Sequence, residues 1–153
     1  MSIQPAQESD FHAIVRLLDE TALPHADLTP EHLAHFLVAR DGDTVVGVVG
    51  MEARGDAALL RSLAVAADRR GGGWASRLVD ALEARARESG IRTLYLLTTT
   101  AEGFFARRGY QSAERDAVPD AIRATEEFRG ICPASAVCMA RPLVPMAEPV
   151  PVS

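Results

Sequence analysis

The chain predicts an α+β domain built on a mixed β-sheet, and three observations carry that expectation. A hairpin pattern precedes the middle of the chain, a strand–loop–helix–strand unit occupies the middle, and a helix and a strand close it. The hairpin is Phe36 to Arg40 and Thr44 to Ala53 around the turn Asp41-Gly42-Asp43. In the central unit, the nearly all-apolar run LLRSLAV from Leu59 to Val65 reads as a strand covered on both faces. Ala75, Leu78, Val79, Leu82 and Ala86 then recur at helical spacing, with Arg77, Asp80, Glu83 and Arg87 opposite. Gly90 ends that helix, and Leu94 to Leu97 form a second buried strand that the crossover makes parallel to the first.

Ahead of the hairpin, Ile3 opens a short strand, and Phe11, Ile14, Val15 and Leu18 mark a helix that stops at Leu23-Pro24. Thr29 and Pro30 restart a helix as N-cap and first helical residue. After the central unit, Ala101 to Arg108 make a short helix ended by Gly109. The expected domain runs over residues 1–142. Residues 143–153, with four of the last twelve residues from Pro142 being proline, read as a frayed tail.

Composition bounds the function. The chain has 153 residues, 48% hydrophobic, with a formal net charge of −5, so its overall field repels nucleic acid and anionic membrane surfaces. No leader pattern and no bilayer-length apolar run is present, which makes the cytoplasm the default location. Cys132 and Cys138 are too few for a disulfide framework and lack zinc-site spacing, so no metal is expected, and both read as reduced thiols. As soft ligands, the two also admit a trivalent metalloid.

The stretch RRGGGWASRLV, residues 69–79, places three glycines directly before the central helix. Free N–H groups at a helix start bind anions, and glycine lets phosphate oxygens reach the backbone; a plain tight turn is the alternative. The P-loop and dinucleotide-binding spacings are both absent. Arg61 and Ser62 are the polar exceptions on the central strand. A guanidinium there needs a partner, either a buried carboxylate such as Glu52 or Asp56, or the carboxylate of a bound molecule.

Arg70-Gly71-Gly72-Gly73-Trp74-Ala75, following Leu63-Ala64-Val65, resembles the Arg/Gln-x-x-Gly-x-Gly/Ala signature of the GNAT superfamily of N-acetyltransferases. Phe104-Phe105-Ala106-Arg107-Arg108-Gly109-Tyr110 is similar to a second motif of that family. LRSLAV (60–65) and LTTTAEGFFARRGY (97–110) look like the acetyltransferase domain of N-acetylglutamate synthases. AIRATEEFRGICPASAVCMAR, from Ala121, looks like the acetyltransferases of arsenic-resistance operons.

The resemblance implies a GNAT fold whose two central parallel strands splay, with acetyl-CoA as co-substrate and a small-molecule amine as acceptor. The implied CoA-binding residues are Leu63, Ala64 and Val65 through their backbone, Arg70, Gly71, Gly72, Gly73, Trp74 and Ala75 around the pyrophosphate, and Phe104 and Arg107. Arg69, Arg77 and Arg108 add charge nearby. Arg61, Ser62, Thr98, Thr99 and His25 are the implied acceptor-binding residues, Arg61 as a clamp on an acceptor carboxylate. An amino acid or an arsenic-containing amino-acid analogue then follows as acceptor, and the resemblance admits a homodimer, dimers being common in the superfamily, while the sequence leaves the oligomeric state open. The tyrosine that commonly serves as general acid falls at Phe105, which has no proton to give. Glu52, Tyr95 and Tyr110 are the substitutes the sequence offers. The loss also admits a non-catalytic acyl-CoA-binding or metalloid-sensing module.

Overall fold

In the computed structural model, which describes residues 2–131 and 135–143, the strands form one seven-stranded sheet. In chain order they are β1 (Ser2–Pro5), β2 (Phe36–Asp41), β3 (Thr44–Arg54), β4 (Ala57–Val65), β5 (Thr93–Thr98), β6 (Gln111–Ser112) and β7 (Val137–Pro142). Their order across the sheet is β1-β2-β3-β4-β5-β7-β6. All neighbours are antiparallel except β4 and β5, whose connection crosses over through a helix. The helices are α1 (Phe11–Glu20), α2 (Trp74–Glu88), α3 (Glu102–Arg107) and the single turn α4 (Asp120–Arg123). Leu143, the first residue of the expected tail, is buried in the core; residues 144–153 and Cys132 lie outside the described residues.

The sequence patterning places the helices on opposite faces. On one side Leu78, Val79 and Leu82 of α2 pack on Leu37, Val49, Met51, Ala58 and Leu60 of the sheet. On the other, Ile14, Leu17 and Leu18 of α1 pack on Phe36, Val38, Val48 and Ala64, while Val118 and Ile122 pack on Ala57, Leu59 and Cys138. The helix expected after Thr29 is instead a six-residue 3₁₀ turn, Pro30–His35, because the chain must enter β2 directly at Phe36. Thr29 still starts it: His32 Nδ1 accepts the Thr29 N–H at 3.1 Å.

β4 carries an irregularity that the alternation of apolar residues hides. Val48 pairs with Ala64, and Gly50 pairs with Arg61, so three steps along β4 match two along β3. The extra residue is a β-bulge. At its centre Ser62 takes φ +62°, a left-handed conformation that side-chain-bearing residues avoid. Before the bulge Ala57 and Leu59 face the α4 side; after it Ala64, not an odd-numbered residue, faces α1.

One close contact holds the hairpin. Phe36 lies opposite Gly50, with its ring across the glycine, and a Cβ added there would lie 2.2 Å from Phe36 Cε1. Gly50→Ala is therefore expected to destabilise the protein by about 1–3 kcal/mol, read as a lower denaturant midpoint with an unchanged slope.

Candidate functional site

β4 and β5 pair only from Ala57↔Thr93 to Leu59↔Tyr95 and then part. A cavity of about 680 Å³ opens between Leu60–Leu63 and residues 96–101, with Phe105 at its base. Asp19, residues 22–26, Glu127 and Ala136 complete its wall. The bulge decides which backbone groups face the gap. The Ala66 N–H donates to the Val46 carbonyl at 2.8 Å, and strand alternation puts the Ala64 N–H on the same β3 side. The N–H groups of Leu63 and Val65 consequently lie on the edge that β5 has left. Arg70 Nε donates to the Val65 carbonyl at 3.2 Å and ties the glycine loop to the end of this strand.

The loop before α2 has the features of an anion cradle. Gly71 and Gly73 take φ +86° and +80°, and a Cβ at either would meet nothing within 4 Å, so backbone conformation, not packing, calls for glycine. Gly73 caps α2, and the Arg77 N–H donates to its carbonyl at 3.1 Å. The N–H groups of Trp74, Ala75 and Ser76 precede that first helical bond and face the open space before the helix. Trp74 is itself buried in the core, with Arg77 stacked over its ring at 4.8 Å. Arg69 is paired with Asp41 at 2.6 Å, and Arg108 with Asp80. Phe104 packs edge-on against Phe105 beside the cavity base, and Arg107 lies on the same short helix.

Arg61 is not an open clamp. Its side chain is fully buried and already engaged: Nη1 and Nη2 donate to the two oxygens of Asp27 at 2.6 and 2.9 Å. Nη1 also donates to Glu52 Oε1 at 2.6 Å, and Nε to Ser62 Oγ at 3.0 Å. Glu127 Oε1 lies 3.6 Å from Nε. Three carboxylates surround this guanidinium, so Arg61 itself is not free for an acceptor carboxylate. Burial opposes a charged Arg61, and these carboxylates overcome it, raising its affinity for its proton. Burial would raise the Asp27 carboxyl, but the hydrogen bond and charge of Arg61 hold it below its usual range.

Glu127 is the exception in this cluster. Burial, reinforced by the charges of Asp27 and Glu52 against the pull of Arg61, pushes it up to about 7. It belongs to a single π turn, Glu127–Ile131, and lines the cavity beside Arg61. Neither Asp27 nor Glu127 stood out in the sequence. A lone arginine on an apolar strand signals that buried carboxylates exist; which ones meet it is a long-range contact.

The other candidates divide between cavity and core. Ser62, Thr98, Thr99 and His25 line the cavity; His25 Nε2 is 3.3 Å from Asp19 Oδ1, and Thr98 Oγ1 accepts the Ala101 N–H at 3.0 Å. Glu52 is not among the cavity residues, and its charge is shared between Arg61 and Arg54. Tyr110 is buried on the α2 side, where its hydroxyl donates to Glu83 at 2.9 Å. Burial and the Glu83 charge push that phenol far up, so it is a structural donor and not an acid at the cavity. Tyr95 packs with Leu59 and Cys138 on the α4 side, away from the cavity lining. Cys138 is closed in the same apolar cluster, and burial raises its thiol. Asp27, His32 and Glu52 bring ligand atoms within 4.8 Å of one another, but the two carboxylates are already turned to Arg61.

Comparison with known proteins follows this geometry. Residues 32–112 match the family model of the acetyltransferase (GNAT) domain. The amino-acid acetyltransferase of Neisseria meningitidis is 28% identical over 131 residues, which cover 80% of this chain and 30% of that protein. The N-acetylglutamate synthase of Neisseria gonorrhoeae, solved with coenzyme A and N-acetyl-glutamate, superposes with a TM-score of 0.81 at 25% identity, over 94% of this chain and 35% of its own. A Mycobacterium tuberculosis protein solved with CoA superposes with a TM-score of 0.77 at 24% identity and is covered over its whole length. The chain thus spans about a third of the length of both Neisseria proteins.

Two stability measurements check the charge cluster. Arg61→Leu strands Asp27 without its arginine, leaves Glu52 with Arg54 at 3.2 Å, and is expected to destabilise the protein by about 3–5 kcal/mol in chemical denaturation at neutral pH. Glu127 makes the native protein bind a proton more tightly than the unfolded chain between pH 4.5, its ordinary value, and about 7. Its contribution to stability therefore falls as pH rises through that window, by up to about 1.4 kcal/mol per pH unit, and is flat above it. E127Q should remove this slope, while Asp27, shifted the other way, acts only below its ordinary 3.8.

Proposed function

The chain belongs to the GNAT acetyltransferase family, and from that membership we propose that it transfers the acetyl group of acetyl-CoA to the α-amine of an amino acid. One observation carries the reading: the gap between β4 and β5 opens beside a glycine-capped helix start, giving an extended slot with an anion cradle at one end. In this reading the pyrophosphate lies on the N–H groups from Gly71 to Ala75, where charge-assisted bonds of about 1.5–3 kcal/mol each offset the negative charge of the protein. The pantetheine arm lies along the free edge of β4, taking the Leu63 and Val65 N–H groups as an added strand would. Bound acetyl-CoA supplies the activated acyl group.

On the protein side, the bulge turns a backbone N–H toward the place where the thioester oxygen gathers charge, which is the arrangement that stabilises an oxyanion. Ser62, Thr98 and Thr99 offer hydroxyls to the acceptor. Arg61 supports the acceptor wall without touching the acceptor's carboxylate. Similarity to amino-acid acetyltransferases supports an amino-acid acceptor, and the resemblance of residues 121–141 adds an arsenic-bearing analogue to the compounds to test.

Release of free thiol from acetyl-CoA in the presence of a panel of α-amino acids, with that analogue included, checks the activity. Turnover with at least one amine is expected. CoA binding without turnover on any amine would instead favour a sensing module. Gly73→Val is expected to weaken CoA binding at least tenfold with an unchanged circular dichroism spectrum, and retained affinity would remove the cradle.

A further inference from the structure

We propose that Glu127 is the group that takes the proton from the acceptor's ammonium, freeing the nitrogen to attack. The inference rests on the transfer reading above and names a catalytic residue for it. An amine near neutral pH is mostly protonated and has no lone pair to offer, so a proton acceptor must face the slot in which it sits. Among the described residues, the titratable side chains lining the cavity are Asp19, His25, Arg61 and Glu127. Arg61 offers no lone pair. Asp19 is 80% exposed at the rim, and His25 is held beside it. Glu127 is 5% exposed and faces the point where β4 leaves β5.

Its pairing leaves it free to act. Asp27 and Glu52 satisfy the guanidinium at 2.6–2.9 Å, whereas Glu127 stands 3.6 Å away and makes no hydrogen bond to another described residue. The groups facing it are Arg61 from β4, Glu52 from β3 and Asp27 from the segment after α1, with His25 and Asp19 at the mouth. Burial places its proton affinity where a base working near neutrality needs it. The excess of carboxylates draws an ammonium to this wall. The step balances as follows: R–NH₃⁺ gives one proton to the Glu127 carboxylate, and the freed lone pair forms the C–N bond to the thioester carbonyl. The C–S bond then breaks, and the second nitrogen proton leaves with the thiolate as CoA thiol. Glu127 returns its proton to water.

The test uses the full chain, with CoA bound, labelled with ¹³C at glutamate side-chain carboxyls. One resonance should titrate near pH 7 and be missing from E127Q; its absence from wild type would overturn the proposal. With acetyl-CoA saturating, kcat/KM for the amino acid should fall tenfold per pH unit below about 7. E127Q should lose that limb together with on the order of 10²–10⁴ in kcat, and E127D should keep the limb with a smaller loss. CoA affinity of E127Q should stay close to wild type, and its thermal midpoint at neutral pH should not fall below that of wild type. An E127Q enzyme that retains the limb, or loses only in KM, overturns the role of Glu127 and leaves the transfer reading standing. A limb lost in His25→Gln but kept in E127Q assigns the proton to His25 and equally overturns it. Wild-type protein inert with every amine overturns both.

Discussion

A buried guanidinium cannot stand alone in a protein interior, and Arg61 makes that rule the organising constraint of this molecule. It sits fully buried on the central strand at the point where the sheet begins to open. Meeting its charge requires Glu52 from the adjacent strand, Asp27 from the segment after α1, and a flanking Glu127 from the turn after α4. Those segments are far apart in the chain. Their convergence pins two connecting segments across the acceptor side of the cavity, which otherwise rests on small apolar clusters.

The same position separates two kinds of recognition. In the proposed function the donor side binds through backbone N–H groups and a helix start, held open by left-handed glycines and by the bulge in β4. Such groups present positive polarity without adding net charge, which suits a polyanionic co-substrate bound by an acidic protein. On the acceptor side the polarity reverses, because three carboxylates face one cation. The aromatic residue at Phe105 fits this division. It packs between Phe104 and Tyr110, lines the cavity, and contributes shape without a titratable proton.

Much of the fold was legible because it depends on local rules. The Asp41-Gly42-Asp43 turn, the helical spacing through α2, the stop at Gly90 and the crossover between β4 and β5 each follow from a few neighbouring residues. The glycine loop belongs with them, since φ above +70° before a helix is a backbone demand that only glycine meets without strain. The carboxylate partners were less legible. Glu52 was one of two partners named for Arg61, and Asp56 was the other; only strand register decides that Glu52 lies diagonal to Arg61 on the same face while Asp56 falls in the turn. Tyr110 looked like a proton donor beside a catalytic motif, yet its turn after α3 swings the hydroxyl onto Glu83, behind the sheet.

The sequence by itself determined the order of elements, the parallel central pair, the glycine turn before α2 and the presence of a charge on β4 that had to be answered. Only the tertiary structure decided who answers it. Asp27 and Glu127 come from segments 34 and 66 residues from Arg61 in either direction, and no periodicity links them to it. The bulge at Ser62 was equally hidden, because the polar pair Arg61-Ser62 does not say where an extra residue enters and only pairing with β3 reveals it. Local pattern encodes which backbone conformations are affordable; charge neutralisation in the interior is settled by which distant chains arrive there.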